Sequence, residues 1–204
     1  MAKSDQPVKL DVREACLQKA AEIIASDGVD HLSLREVSRR LSISHQAPYK
    51  HFASREALLA EVISRAFDDF TAYLSVRIRN ASAEDELPIL GRAYLQYAVE
   101  HPLEYRLMCE TPMPDLERHP GLRDKATAAF SLLLGAISKV RRDEPERVIR
   151  SLALFAWSAV HGLASVSANG AMPAIGLAGG EDQTDAVERV LGQICAGVTA
   201  SKIH

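Results

Sequence analysis

The chain has 204 residues, 47% of them hydrophobic and 25% charged, with a net charge of −3. That is ample apolar content for a packed core, and too little net positive charge to mark the whole surface as a partner for nucleic acid. Aromatic residues at 5% and frequent Ala and Leu favour helices over sheets, which excludes most all-β architectures.

Residues 1–10 read as a flexible arm, polar and without the apolar run of a signal peptide. Asp11, with Glu14 three residues on, predicts the start of a first helix whose inner stripe is Cys16, Ala20, Ile23 and Ile24; Gly28 stops it. Ser33 followed by Glu36 predicts a capping box, flanked by Leu32 and Val37 as a hydrophobic staple. Leu34, Val37 and Leu41 then recur at helical spacing and leave Arg35, Glu36, Arg39 and Arg40 outward. Ser42 and Ile43 make a tight turn. Ser44 caps a third helix through Phe52, with Ala47 and Phe52 inward and His45, Gln46, Tyr49, Lys50 and His51 outward. That outward set is polar, aromatic and basic, and contains no acid.

These residue types at this spacing suit a helix-turn-helix, whose second helix enters the major groove of DNA while the first crosses the backbone. Gln46 can pair bidentately with adenine, and His45 and Lys50 can donate to guanine acceptors or phosphate. Arg35, Ser44, His45, Gln46 and Lys50 are therefore candidate base or near-base contacts. Ser33, Tyr49 and Arg55 are expected on phosphates, and Lys3 and Lys9 of the arm near the backbone. The charge distribution agrees in sign: residues 1–55 hold 9 Lys and Arg against 7 Asp and Glu, and the remainder is acidic. On charge alone, an ordinary solvated surface explains this equally well.

Ser54 caps a long fourth helix, in which Leu58, Leu59, Val62, Ile63, Ala66, Phe67, Phe70 and Leu74 keep helical period to about Asn80. An acidic connection follows, and Pro88 opens a fifth helix with Leu90, Ala93, Tyr94, Tyr97 and Ala98 on one side. His101 and Pro102 break it, and Leu103 to Cys109 forms a short sixth. Pro112, Pro114 and Pro120 keep the next stretch irregular before a seventh helix from about Leu122 to Val140. Pro145 starts an eighth helix through Ala168; residues 169–183, rich in Gly, read as a flexible loop. The ninth carries a stripe of Val187, Val190, Leu191, Ile194 and Val198. The fold class is all-α, with about nine helices: a three-helix head and a C-terminal helical bundle. The domains are an arm at 1–10, a DNA-binding domain at 11–71 that includes the start of the long helix, and a ligand-binding and dimerisation domain at 72–204.

The eighth helix is apolar on several sides: Leu152, Phe155, Ala159 and Leu163 point one way, Leu154, Trp157, Val160 and Ala164 others. Its stretch Ser151 to Ala168 holds four serines and a histidine and follows Arg147 and Arg150, which favours a buried helix over a membrane span. Covering it calls for a two-fold dimer through the eighth and ninth helices, the alternative being a large monomeric core. Two heads on a two-fold axis would read a palindromic operator with half-sites about 34–36 Å apart or a multiple of it. Tyr94, Tyr97, Tyr105, Met108, Phe130, Leu134, Trp157 and His161 combine aromatic surface with a few polar tips, as small-molecule pockets do, although ordinary core residues look the same. Trp157 and His161, four apart, share a helix face. Cys16, Cys109 and Cys195 are odd in number, widely spaced and in apolar surroundings; they read as reduced core thiols. No G-x-S-x-G elbow, glycine-rich phosphate loop or H-E-x-x-H pair occurs, and His45 and His51 lie on different faces, so neither an enzyme nor a metal site or other cofactor is expected.

The motifs resemble those of the TetR family of transcriptional repressors. The likeness runs from Val12 to Phe52, through S-L-R-E-V-S-R-R-L and A-P-Y-K-H-F, into S-R-E-A-L-L at the start of the long helix. The family usually has Gly where this chain has Ser42, and often Leu or Ile where it has Pro48. F-A-W-S-A-V-H-G-L-A, with Trp157, His161 and Gly162, looks like a C-terminal ligand-domain pattern of one branch. The resemblance implies a homodimeric, cytoplasmic DNA-binding regulator with no membrane partner. An apolar or amphipathic effector in the body would shift the long helix and release double-stranded DNA. The rival expectation is a helical module that binds proteins, or binds DNA without a ligand.

Overall fold

Asp11 accepts hydrogen bonds from the Arg13 and Glu14 amides (3.0 and 3.2 Å) and so starts α1, Val12–Asp27; Gly28, at φ 90°, ends it in a conformation that L side chains rarely adopt. A computed structural model describes residues 11–168, 171–176 and 181–200 of the chain. Among these residues the protein is all-α: α2 is Leu34–Leu41, α3 Arg55–Ile78, α4 Glu86–Glu100, α5 Pro102–Cys109, α6 Pro120–Val140, α7 Glu146–Ala168 and α8 Glu181–Thr199. Short 3₁₀ turns lie at Val29–His31, Pro48–Lys50 and Pro173–Ile175. The arm at 1–10 and residues 169–170 and 177–180 of the Gly-rich stretch fall outside the described residues. Within that stretch, Met172 is buried beside the 3₁₀ turn.

The chain divides into two compact units. The first comprises the described residues up to Arg65 together with Glu110–Arg123, and the second comprises Ala66–Cys109 and the residues from Asp124 onward. The division falls inside α3, six residues before the sequence-derived boundary at 71/72, and assigns the proline-rich stretch after α5 to the first unit.

In the first unit α1 packs on α2, and Leu17, Ile23, Leu32, Val37, Pro48, Phe52 and Leu58 are almost wholly buried. Side chains of this size contribute about 1.5–3 kcal/mol each on burial. Polar clasps hold the periphery. Arg65 grips Glu14 through both guanidinium nitrogens (2.7 and 2.6 Å), Arg13 pairs with Glu61 and lies over the Phe52 ring, and Glu56 accepts from the Asp115 amide (3.2 Å).

In the second unit α4 packs on α5, α7 and α8, and α7 on α8. Gly91 admits Leu191, whose Cδ2 lies 3.1 Å from where a Cβ would stand, and Gly197 does the same for the Phe155 ring at 3.2 Å. Arg92 bridges α4 to Glu188 of α8 (2.8–3.0 Å). Arg141 donates to the carbonyls of Thr199 and Ala200 at the end of α8, satisfying acceptors that the helix leaves open.

Of the described helices, α7 alone is long and apolar enough to cross a membrane, with a mean hydropathy of 1.3. Leu152, Ala153, Ala156, Val160 and Ala164 face the bundle. Leu154, Phe155 and Trp157 are 55%, 48% and 43% exposed, so Phe155 departs from the side on which the sequence places it with Leu152. One chain covers only part of this helix.

Candidate functional site

The first unit builds its outward face around α2. Ser33 accepts from the Glu36 amide (3.0 Å), as expected of the cap, and Leu32 and Val37 are both buried. The reciprocal half of the capping box is absent. The Glu36 carboxylate turns instead to Arg39 (2.6 and 2.8 Å) and Arg40 (2.7 Å), and Arg40 also pairs with Asp27. Hydrogen bonds from Arg39 and then Arg40 hold the Glu36 carboxyl down at about 2, well below its usual range. Two of the three arginines on this helix are therefore neutralised locally, whereas the exposed Arg35 has no ion pair among the described residues.

Ser42 closes α2 at φ 54°, ψ 37°, the left-handed region, while Ser42 and Ile43 donate back to Arg39 (3.2 Å) and Ser38 (3.1 Å). It is the position where the resembled family usually has Gly, and the turn keeps its shape with serine. Ser44 then accepts from the Gln46 amide (3.2 Å).

The expected third helix forms as tighter turns. Pro48 has no N–H to give the Ser44 carbonyl, so Ala47 donates to it (2.9 Å); Lys50 then donates to Ala47 (3.3 Å) and His51 to Pro48 (3.0 Å). The dihedrals stay right-handed helical at Ala47, −62° and −47°, so the outward side chains keep a helix-like arrangement. Pro48 is itself a buried anchor beside Phe52, and Ala47 is only half-buried. His45, Gln46, Tyr49 and Lys50 are exposed, Tyr49 by 53%, and Lys50 has no ion pair among the described residues.

Arg55 is less available to phosphate than the sequence implies. Its guanidinium donates to the carbonyls of Leu32 (2.8 Å) and Val29 (2.5 Å), tying the start of α3 to the turn before α2. Sequence reasoning also passed over Ser38. This serine lies on the buried stripe of α2, with its hydroxyl 3.0 Å from His45 Nδ1, and a polar residue among Leu34, Val37 and Leu41 was the available signal.

In the second unit, His161 of α7 stands at the centre of five of the eight expected ligand residues. Its Nδ1 lies 2.9 Å from the Tyr105 hydroxyl and 3.1 Å from that of Tyr94; its ring stacks on Trp157, which meets Phe130 edge-on. Burial pushes the Tyr94 hydroxyl far above its ordinary pKa, so it stays neutral. Cys109, expected as a core thiol and half-buried here, lies 3.7 Å from the same hydroxyl. Met108 is buried on α5. Two residues fall elsewhere. Tyr97 stacks on His101 and meets Phe70 and Tyr73 edge-on, while Leu134 lines a surface cleft of about 330 Å³ with Ser138, Arg141, Arg142, Ile149 and Arg150. Tyr94 and Tyr97, one turn apart on α4, thus turn to different histidines, His161 and His101, and share Phe70, which meets both edge-on.

A short capped helix, a tight turn and a second helical segment with an acid-free outward face define the class of helix-turn-helix DNA-binding regulators. Family models narrow this. Residues 17–62 match that of bacterial regulatory proteins of the tetR family, and residues 87–194 match the tetracyclin repressor-like C-terminal domain. The chain belongs to the TetR family of DNA-binding transcriptional regulators. It is 25% identical over 201 residues to Rv0681, an uncharacterised HTH-type transcriptional regulator of Mycobacterium tuberculosis, covering 98% of this chain and 86% of that protein. A solved structure from Rhodococcus sp. RHA1, of unknown function, is 25% identical with a TM-score of 0.77, over 96% of this chain and all of that one. The fatty acid degradation regulator FadR of Bacillus halodurans shares the fold, at 16% identity and a TM-score of 0.65, over 93% and 97% of the two chains.

Proposed function

We propose that this regulator is a cytoplasmic homodimeric repressor, which binds a palindromic operator and is released from it by a small apolar or amphipathic molecule. The observation that carries the DNA reading is the pairing pattern on α2 and the following turn: Arg39 and Arg40 are spent on Glu36, while Arg35 and Lys50 remain without an acid beside exposed Gln46 and Tyr49. Arg35, Ser44, His45, Gln46 and Lys50 approach base edges; Ser33 and Tyr49 hold phosphates, and Arg55 chiefly braces the turn. The head domain, roughly residues 11–71, then serves as the reading part, and 72–204 as the sensing and pairing part.

Dimerisation falls to α7 and α8, where the exposed Leu154 and Phe155 supply apolar area and Gly162 allows close approach. The effector sits against His161, Tyr94, Tyr105, Met108, Phe130 and Trp157, a set whose apolar walls and few polar tips suit an amphipathic ligand. Binding there shifts α3 and separates the heads of the dimer, which lowers operator affinity.

Selection of bound fragments from genomic DNA, followed by a compound screen that reads operator release together with quenching of Trp157, tests the whole reading. It predicts a palindromic consensus and at least one compound that does both. Sequence-independent binding, or release without any change at Trp157, contradicts it.

A further inference from the structure

Ser38 is wholly buried, and its single hydroxyl proton has two neighbours: the Arg35 carbonyl oxygen at 2.8 Å and His45 Nδ1 at 3.0 Å. If that proton went to Nδ1, two oxygens would face each other at 2.8 Å with nothing between them. Donation to the Arg35 carbonyl satisfies both contacts, because Ser38 Oγ then accepts from a proton on Nδ1. A neutral imidazole with its proton on Nδ1 carries a bare lone pair on Nε2.

We propose that Ser38 is a positioning residue that fixes the sense in which His45 reads DNA: held as the Nδ1–H form, neutral His45 offers Nε2 to the major groove as an acceptor. It therefore selects a base with an exocyclic amine there, adenine N6 or cytosine N4, over guanine, whose major-groove edge carries only acceptors. This reverses the donation to guanine that residue type alone suggests. It rests on the proposed docking of this face on DNA, and the two fail in distinguishable ways.

Two measurements on the full chain at pH 8, chosen so that the neutral ring is the species read, test the proposal. Long-range proton–nitrogen correlation spectra of histidine-labelled protein without DNA should show His45 protonated on Nδ1; in Ser38→Ala, a small helix-compatible change, they should show a mixture of both forms. Selection from a randomised duplex library should give one position per half-site at which adenine or cytosine is preferred over guanine by about 5- to 100-fold. Ser38→Ala and His45→Ala should each erode that preference at this position alone, to under about 3-fold, with the rest of the consensus kept. A proton on Nε2 in the unaltered protein overturns the proposal. So does guanine at the His45-dependent position, or uniform weakening by Ser38→Ala with the preference intact. Failure to bind any duplex would remove the docking and this proposal together, while leaving the measured imidazole form standing.

Discussion

Around the helix-turn-helix of the first unit the exposed side chains include Arg35, Gln46, Tyr49 and Lys50, whereas along α7 of the second, past the charged first turns that hold Arg147 and Arg150, they include Leu154, Phe155 and Trp157. On the polar face Arg35 and Lys50 have no acid partner among the described residues, and on α7 Leu154, Phe155 and Trp157 leave apolar surface that one chain does not cover. A polyanion rewards the first arrangement through released counterions, and another apolar helix rewards the second through area removed from water. The contrast teaches that each unit leaves open a different kind of surface, cationic on the first and apolar on the second, and so calls for a partner of different chemistry.

The strongest break should come from the apolar side. Leu154→Arg would bury a charge in the proposed contact between copies, so sedimentation should show monomers at concentrations where the unaltered chain is dimeric. Operator affinity should fall on the order of 100-fold or more, because burying an unpaired charge costs several kcal/mol. Monomers that bind the operator as tightly as before would detach α7 from function.

The polar face has an internal support that acid should remove. Glu36 titrates at about 2 in the folded protein against an ordinary 4.5, so its clasp on Arg39 and Arg40 favours the folded state above 4.5 and is lost as the pH falls through 2. Thermal melts should therefore show the melting temperature dropping over that window, with Glu36→Gln flattening this part of the profile. An identical acid profile in the variant would mean that the clasp adds nothing. The smallest effect is expected at Ser42, whose φ of 54° is cheap only for glycine. Ser42→Gly should stabilise the chain by about 0.5–1 kcal/mol in a denaturant melt, with DNA affinity unchanged.

What the sequence exposed and what it hid divides along the range of the interactions. Asp11, Ser33 and Ser54 start helices by accepting from amides within a few residues, Gly28 ends one by donating to the Ile24 carbonyl, and each is legible as a pattern. The Glu36 pairs with Arg39 and Arg40 lie three and four residues apart and were equally readable, although the capping-box motif directs the carboxylate elsewhere. The tightening of the third helix follows from the missing N–H of Pro48, although it falls in a first turn, where proline is usually tolerated. Arg55 on the carbonyls of Val29 and Leu32, Arg40 on Asp27, and the 110–123 stretch joined to Glu56 all depend on packing between distant segments, which no local period reports. The aromatic cluster was half legible: residue type singled out Tyr94, Tyr105, Trp157 and His161, but only the way α4 is turned sends Tyr94 to His161 and Tyr97 to His101.

Whether DNA meets the cations this fold leaves unpaired is read most directly from the salt dependence of operator binding in Arg35→Ala and Arg39→Ala. If the account holds, Arg35→Ala lowers the slope of log K against log salt by about 1, while Arg39→Ala, whose charge Glu36 already answers, leaves the slope unchanged. Equal losses from the two variants, or binding that ignores salt altogether, would contradict it.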